Sequence, residues 1–527
     1  MANYYVDATG GDDGDAGGIL DPWKTIAKVN GEAFSAGDSI LFKRGEIWHE
    51  ELVPPSSGGA GSPITFGAYG SGAKPIICGS DTYNAALDWT DEGGNLWYAS
   101  GIAWTANLFF HDGVIGAKKA LKASLGAQWD YWFDDPNNRV YVYSAANPTT
   151  LATMLEIGKR DSCVDYTGTA YVTLENIKFQ HSNGAATSQP TIGWWGGSNI
   201  TIQDCDFDHA WANHVQFHNG CDDPLVQRST FDNWNYSGGY GYAIQGIGAG
   251  ANETDRLIVR DSYFSMTRDS SADTDCSAIM SDILGGLAEV SRCVINGNGG
   301  HLGGEGIFLW QPGSTQAACV IQDNVIYEVG GIGIGVQDLE HNGATPTITI
   351  QRNTIRDAVL GDAIDREAMR LRDYTAASTV IAKYNYILRT LDGTFAHHGI
   401  GVGTTDNTLP ASGTNIHHNT IVGCDDGIHI GDDSDNSVLR NNLLVNNRGY
   451  GMAQHAATSG TDADYNGYKG NVSGARQNLA AGSHDITTGL KLNWDNYPTK
   501  ARSFWVSMTR RLEMTGLVHA AKVDVGR

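Results

Sequence analysis

The sequence predicts an all-β chain whose short strands stack into one long solenoid. Short lines of alternating apolar and polar residues recur from about residue 171 onward, and such period-two alternation is typical of strands. One small or polar residue returns at the same place in each line, which marks a structural repeat. Glycine accounts for 67 of 527 residues and proline for only 13, so the chain has many tight turns without the composition of collagen.

The repeat is clearest in the lines 202–207, 259–264, 321–326 and 350–355. Aligning them gives one column of small or polar residues at spacings of 23 to 34: Cys205, Ser229, Ser262, Cys293, Asn324, Asn353, Asn385, Asn419 and Asn442. A coil that returns to the same place on each turn stacks these side chains on one another. Stacked asparagines can bond to their neighbours and to the backbone, and Cys or Ser fits the same niche. Such coils bury an apolar interior only by stacking.

This pattern resembles the right-handed parallel β-helix superfamily, which includes pectate-lyase-like enzymes, polygalacturonase-like hydrolases and phage tailspikes. The resemblance covers about residues 171–470. It implies an all-β, right-handed parallel β-helix with an N-terminal helical cap and a small β-rich insertion. It also implies a polysaccharide or oligosaccharide as the partner.

Four regions follow from these patterns. Residues 1–82 resemble the opening strand, capping helix and first coils of the superfamily, and a cap is required because a bare coil end exposes apolar layers. Residues 83–155 interrupt the repeat with predicted antiparallel hairpins. Their Trp and Tyr residues are interpreted either as the core of a mini-domain or as side chains that border a sugar site. The main β-helix is predicted over 156–470, and 471–527 forms a C-terminal tail or cap.

The net charge of −24 argues against nucleic acid or an anionic membrane as the partner, although it leaves room for a locally basic groove. The sequence contains no apolar stretch of membrane-spanning length. The N-terminus lacks the pattern of a signal peptide. We expect either a secreted protein whose signal peptide has been removed, or a tailspike-like protein that leaves the cell on a phage virion. We expect a monomer or a homotrimer.

The eight cysteines show no CxxC pair and no metal-ligand spacing, so the sequence predicts buried free thiols and neither zinc nor redox chemistry. The acidic turn with Asp12, Asp13 and Asp15 lacks the full spacing of a calcium loop and is better interpreted as a solvated turn. We expect that no cofactor is required, with calcium the one cation left open.

A second alignment predicts which side chains point outward from the coil. Ile279, Ile307, Ile334, Met369 and Ile400 form part of an inward row, so the residues between successive inward positions must face outward. One outward column comprises Gln216, Gln245, Met280, Phe308, Gly335, Arg370, Gly401 and His429. The next comprises His218, Ile247, Asp282, Trp310, Gln337, Arg372, Gly403 and Gly431.

These columns supply the candidate site. Its glycines, Gly335, Gly401, Gly403 and Gly431, predict a bare floor on which an extended chain can lie. The predicted substrate-binding residues are Arg370, Arg372, Trp310, Gln337, His398 and His429. The guanidinium pair is expected to bind an anionic group such as a uronate, or to form salt bridges with nearby acids such as Glu367 and Asp373.

The predicted catalytic acids are Glu305, Glu367, Asp338, Asp373 and Asp282. Neighbouring strands lie about 4.8 Å apart, so carboxyl groups one or two coils apart fall near the range of about 5–9.5 Å that glycoside hydrolysis requires. Hydrolysis is therefore expected ahead of the alternatives.

Two alternatives stay open. The line 367–372 resembles the Glu-x-Ile-Arg-Ile-Gly line of alginate and chondroitin lyases, with Arg372 in place of glycine, which implies β-elimination on a uronate-containing glycan. Residues 425–427 resemble the paired Asp of polygalacturonases. The other alternative is a non-catalytic phage or surface solenoid that binds glycan.

Overall fold

Parallel strands repeat along almost the whole chain. A computed structural model describes residues 1–184, 189–248, 254–267, 276–282, 285–311, 317–340, 343, 345–359, 367–389, 397–403, 411–432, 434–456, 458–488 and 490. Over these residues the chain is a right-handed parallel β-helix in which each coil adds one strand to each of three long sheets.

The three sheets form the walls of the coil over the described residues. The fourteen-stranded sheet contains Asn3–Val6, Ser39–Lys43, Ile64–Tyr69, Val172–Glu175, Ile200–Gln203, Leu225–Gln227, Thr254–Arg260, Gly285–Ser291, Ala318–Gln322, Thr347–Gln351, Thr379–Lys383, Asn415–His417, Val438–Arg440 and Asp462–Asp464. The thirteen-stranded sheet contains Ile47–Trp48, Ile76–Cys78, Lys178–Ser182, Asp206–Ala210, Thr230–Asp232, Tyr263–Ser265, Val294–Asn296, Val325–Tyr327, Thr354–Arg356, Tyr386–Leu388, Thr420–Val422, Leu443–Val445 and Gly467–Lys469. The twelve-stranded sheet contains Val164–Thr167, Ile192–Trp195, Val215–His218, Gly241–Ile247, Cys276–Ser281, Ile307–Trp310, Ile334–Gln337, Glu367–Leu371, His398–Val402, Ile428–Ile430, Tyr450–Gln454 and Gly474–Gln477.

The interior is filled by side chains that repeat from coil to coil. Phe207, Phe231 and Phe264 stack face to face, with ring centroids 4.6 and 4.9 Å apart in succession. Such stacks bury large apolar areas, which is the main force that holds one coil on the next. The last strand of the twelve-stranded sheet, Gly474–Gln477, carries the coil past the boundary predicted at residue 470.

The asparagine column is a continuous hydrogen-bonded ladder. The Nδ2 of Asn353 donates to the Oδ1 of Asn385 at 3.0 Å and to the carbonyl of Ile321 at 2.8 Å. The backbone amide of Asn353 also donates to Asn385 Oδ1 at 3.0 Å. The same pattern repeats through Asn419 and Asn442 to Asn466, a position that the alignment missed. Every amide in the ladder is therefore buried and bonded.

The first coil is closed by a short helix, as predicted. The helix Ile26–Asn30 is capped by Thr25, whose side chain accepts from the amide of Lys28 at 3.0 Å. Trp23 covers the coil end and stacks on Tyr4 with ring centroids 5.0 Å apart. The carboxylate of Asp13, in the acidic turn, accepts from Thr25 Oγ1 at 2.7 Å and thus supports the cap. The expectation of calcium at this turn stays a prediction.

Residues 80–158 form two smaller sheets beside the coil. The five-stranded sheet contains Ala117–Lys118, Asp130–Asp134, Arg139–Tyr143, Leu96–Ser100 and Thr90–Gly93. The four-stranded sheet contains Val114–Ile115, Phe109–His111, Leu155–Gly158 and Ser80–Thr82. Short 3-10 helices lie at Ala86–Asp88, Lys122–Ser124, Asp135–Asn137 and Pro148–Thr150. This region has its own apolar core, in which Trp89, Phe109 and Tyr131 are buried.

All eight cysteines are free and buried, which confirms that prediction. Among the described residues, no helix has the length and apolar character needed to cross a membrane. Residues 489 and 491–527, which include most of the predicted C-terminal tail, lie outside the described part of the chain.

Candidate active site

The outer face of the twelve-stranded sheet has the register that the alignment predicts. Ile334 pairs with Met369, and Met369 pairs with Ile400, along the buried inward row. The outward row therefore runs from Phe308 through Gly335, Arg370 and Gly401 to His429. Strand alternation thus places the predicted substrate-binding residues Arg370 and His429 in one row, separated by a single glycine.

Several charged or titratable side chains lie close together on three consecutive coils of this face. Glu367 pairs in register with His398. The amide of Gly399 donates to the carbonyl of Asp426, which places Asp426 beside His398 on the following coil. We call Glu367, Arg370, Arg372, His398, Asp426 and His429 the charged cluster.

Glu367 is the centre of the first half of the cluster. Its Oε1 accepts from Arg372 Nη2 at 2.8 Å, and its Oε2 lies 3.3 Å from both Nε and Nη2 of Arg370. Burial raises the pKa of the Glu367 carboxyl, but the two guanidinium groups outweigh burial, so the pKa is lowered overall. Glu367 is therefore ionised at neutral pH and is not a proton donor.

Asp426 is the centre of the second half. Its Oδ2 lies 3.2 Å from Nδ1 of His429 and 3.4 Å from Nδ1 of His398, and its Oδ1 accepts from the amide of Tyr450 at 2.7 Å. Burial raises the pKa of Asp426, but the hydrogen bonds with His429 and Tyr450 outweigh burial, so the pKa is lowered overall and this carboxyl is also ionised. A carboxylate that accepts from Nδ1–H directs the other ring nitrogen of the imidazole to act as a base.

The two imidazoles of the cluster are stacked. Their ring centroids lie 4.2 Å apart and their planes meet at 17°. One ligand atom from each of His398, Asp426 and His429 lies within 4.8 Å of the others, a spacing that also allows these three residues to hold a divalent cation.

The predicted glycine floor is not bare, which corrects the sequence interpretation. A Cβ added to Gly335 would collide with the ring of Phe308, and one added to Gly401 would collide with Cγ of Glu367. Each glycine therefore makes room for a large side chain from the preceding coil. Gly403 serves a different purpose, because its φ of 67° suits the left-handed conformation.

Upstream of the charged cluster the same face is apolar. Tyr242, Met280, Phe308 and Ile332 form a small buried group, and half-buried Trp310 packs against it. Gln337 pairs in register with Trp310 and is also half-buried. The predicted aromatic and amide binding residues thus lie beside the cluster, on the two preceding coils.

The other predicted acids are spread around the cluster. Glu305 is buried and accepts from Ser277 Oγ at 2.5 Å. Asp282 is buried and accepts from Gln245 Nε2 at 2.8 Å. Asp338 accepts from Gln311 Nε2 at 2.8 Å. Burial, together with the charges of Asp338 and Glu340, raises the pKa of half-buried Asp373.

Asp426 is the residue that the candidate list omitted. The sequence offered two signals for it, its place among the acidic residues at the ends of these strands and the resemblance of 425–427 to a paired-Asp motif. Neither signal predicts contact with both His398 and His429.

Comparison with known proteins identifies the fold. A family model described as the right-handed β-helix region matches residues 136–373. No curated protein sequence matches the chain. A solved glycoside hydrolase superposes with a TM-score of 0.52 and 10% identity, over 91% of this chain and 97% of that one. At this identity the similarity shows a shared fold.

Two further solved structures are more distant in shape. A GH136 lacto-N-biosidase from Eubacterium ramulus has a TM-score of 0.44 and 15% identity, over 91% of this chain and 68% of that one. A complex of an alginate lyase, AlyF-OU02, with G6 has a TM-score of 0.49 and 11% identity, over 89% of this chain and 88% of that one.

Proposed function

We propose that this protein is a polysaccharide-degrading enzyme whose acid–base chemistry takes place at the charged cluster. The observation that supports this most directly is the concentration of six ionisable side chains on three consecutive coils of one outer face. The shared fold with a glycoside hydrolase is consistent with the proposal.

The cluster is better equipped for β-elimination than for hydrolysis. Elimination needs a base that removes the proton beside a uronate carboxylate and a positive group that neutralises that carboxylate. We assign the base to the imidazole of His429, oriented by Asp426. Its Nε2 is buried without a hydrogen-bond partner among the described residues and must become accessible when substrate binds. The guanidinium groups of Arg370 and Arg372, which Glu367 holds in place, supply the positive charge that neutralises the carboxylate of the sugar.

The bonds in this step balance without a further reagent. The C–H bond beside the carboxylate and the C–O bond to the leaving sugar break, and a carbon–carbon double bond forms. The proton goes to the imidazole, and the leaving oxygen takes a proton from the imidazole pair or from water. Neither Glu367 nor Asp426 can serve as a carboxylic acid here, since both pKa values are lowered.

Hydrolysis remains a second candidate because of Asp373. Its raised pKa favours the protonated form that a general acid needs, and Asp338 is close enough for its charge to contribute to the shift. In that mechanism Asp373 protonates the glycosidic oxygen and a second carboxylate assists water or attacks the sugar.

Product analysis distinguishes these mechanisms. The full chain is incubated with a panel of uronate-containing and neutral polysaccharides, and its products are followed by ultraviolet absorbance and by reducing-end assay. Elimination gives both a new absorbing double bond and new reducing ends, whereas hydrolysis gives reducing ends alone. Binding to a glycan without either signal would contradict the enzymatic proposal and favour the non-catalytic solenoid.

A further inference from the structure

A second cluster of reactive side chains is buried far from the charged cluster in sequence. It lies where the four-stranded sheet of the insertion meets the outer face of the thirteen-stranded sheet. Cys78 ends the strand Ile76–Cys78, His181 lies in Lys178–Ser182 and Glu156 lies in Leu155–Gly158. His49 directly follows the strand Ile47–Trp48. No step proposed above uses any of these residues.

We propose that His49, Cys78, Glu156 and His181 bind a zinc ion that fastens the insertion to the coil. Cys78 Sγ lies 3.6 Å from Glu156 Oε1 and 3.7 Å from His181 Nδ1. His181 Nδ1 lies 3.5 Å from Glu156 Oε2. One ligand atom of His49 lies within 4.8 Å of those of Cys78 and Glu156.

These separations match the edges of a zinc tetrahedron. Zinc binds sulfur at about 2.3 Å and nitrogen or oxygen at about 2.0–2.2 Å, so ligand atoms at tetrahedral angles lie roughly 3.3–3.6 Å apart. The distance between Cys78 and His181 is close to this range, and so is the distance from each of them to one oxygen of Glu156, Oε1 for Cys78 and Oε2 for His181. His49 is the more exposed ligand, and in the proposed site it takes the fourth position beside Cys78 and Glu156.

The surrounding polar groups orient these ligands as an outer shell does in metal sites. His49 Nδ1 donates to the carbonyl of Ser80 at 2.7 Å, because a carbonyl oxygen only accepts, and this leaves Nε2 to coordinate. Ser80 Oγ donates to Glu156 Oε1 at 2.7 Å and lies 3.0 Å from Cys78 Sγ. The ring of Phe110 stacks on His181 at 3.7 Å and fixes its plane.

Burial and charge favour a dication at this place. Cys78, Glu156 and His181 are each exposed by 4% or less. Glu156 pairs with His181 at 3.5 Å. When zinc binds, the thiol of Cys78 loses its proton and both imidazoles are neutral, so the thiolate and the carboxylate carry two buried negative charges that require a positive partner. A zinc ion with two neutral imidazoles cancels them fully. The guanidinium of Arg160 donates to the carbonyl of Ser80, but it already pairs with Asp81 and so does not cancel these charges.

The ion would join four segments that are distant in sequence. This explains why a search for local ligand spacing finds nothing, although the fold brings the four side chains together. Unlike the proposed function, the inference requires no glycan and no catalytic activity, so either can fail alone.

Metal analysis of the intact chain tests the proposal. The full-length protein is incubated with zinc, passed through a desalting column and analysed by inductively coupled plasma mass spectrometry, with about one zinc per chain expected. Replacement by cobalt should give the near-ultraviolet charge-transfer absorption of a thiolate–cobalt bond. Cys78→Ala should lose both signals, whereas Cys319→Ala, an equally buried cysteine in the fourteen-stranded sheet, should keep both.

Two results would overturn it: wild-type protein that retains no zinc, or Cys78→Ala that retains as much zinc as wild type. If Cys78→Ala does not fold, the cobalt spectrum of the wild-type protein decides. A cobalt-loaded protein without thiolate absorption would exclude Cys78 as a ligand and contradict the proposal.

Discussion

The asparagine ladder inside the coil and the charged cluster outside it are two polar columns built by the same repeat. In the ladder each amide bonds to the next amide and to a backbone carbonyl, so neutral groups satisfy one another without water. In the charged cluster, ionised Glu367 and Asp426 bond to guanidinium and imidazole groups that face outward. The same stacking geometry therefore gives a ladder of neutral amides inside the coil and a set of ion pairs on its outer face. In that set Glu367 and Arg370 are buried and the other four side chains are half-buried.

The largest expected effect is on activity, at Asp426. Asp426→Asn cannot hold His429 in the tautomer that presents a basic Nε2, so we expect the rate of glycan cleavage to fall by about 10²–10⁴-fold. The melting temperature should change little, because the coil interior is untouched. Initial rates on the best substrate from the product panel measure this. A wild-type rate in the folded variant would remove Asp426 from the mechanism.

Glu367→Gln tests whether the ion pairs also stabilise the fold. The change leaves Arg370 and Arg372 beside a neutral amide in a buried setting, so we expect a loss of about 3 kcal/mol in the free energy of unfolding. Because the pKa of Glu367 is lowered in the folded state, its contribution is present above the ordinary carboxyl pKa and lost as pH falls through the folded value. Urea unfolding at neutral and acid pH measures both effects. Equal loss at both pH values would contradict the ion-pair explanation.

Asn385→Ala tests the ladder. The substitution leaves the backbone amide and Nδ2 of Asn353 without their shared acceptor and removes the Asn385 donor to the carbonyl of Ile350, and we expect a loss of about 2 kcal/mol. The exposed neighbour position Asn441 has a φ of 57°, which glycine adopts without strain, so Asn441→Gly should cost less than about 0.5 kcal/mol. Activity per folded molecule should stay at the wild-type level in both variants. Similar stabilities for the two variants would show that the ladder contributes little.

The smallest expected effect concerns an outward carboxyl away from the cluster. Burial, and then the charges of Asp208 and Asp206, raises the pKa of Asp232 to about 7. A carboxyl group whose pKa is raised in the folded state contributes stability at pH values below its pKa in the unfolded chain. This contribution is lost as pH rises through the folded-state pKa of about 7. Asp232→Asn should therefore raise stability above neutral pH by about 1 kcal/mol, since the residue is partly exposed, with no gain in mild acid. Thermal unfolding across this pH range tests the sign.

The repeat made much of this architecture predictable. The inward row and the outward row follow from strict alternation, and both match the register from Ile279 to His429. Asn466 was missed because glycine, Gly467, directly follows it, and because Tyr468 stands at the position where the other lines have Phe, Ile or Leu. Periodic contacts are thus readable from one sequence when each coil repeats the same residue types.

The charged cluster was only partly predictable. Salt bridges between the guanidinium pair and Glu367 were one of the two expected outcomes, and the structure shows them. Strict alternation alone would place Glu367 on the opposite face from Arg370 and Arg372. The filling of Gly335 and Gly401 by neighbouring side chains depends on rotamers in another coil, and no sequence pattern specifies those rotamers. The contact of Asp426 with His398 depends on how turns of different length bring two coils into register.

The most direct test of the charged cluster as the active site is a matched pair of histidine substitutions. His429→Ala removes the proposed base, and His417→Ala removes a histidine of the fourteen-stranded sheet that has no part in the cluster. Initial rates of glycan cleavage are measured for both folded variants beside the wild type. The proposed mechanism predicts a loss of at least about 100-fold for His429→Ala and a wild-type rate for His417→Ala. Equal rates for the two variants would contradict it.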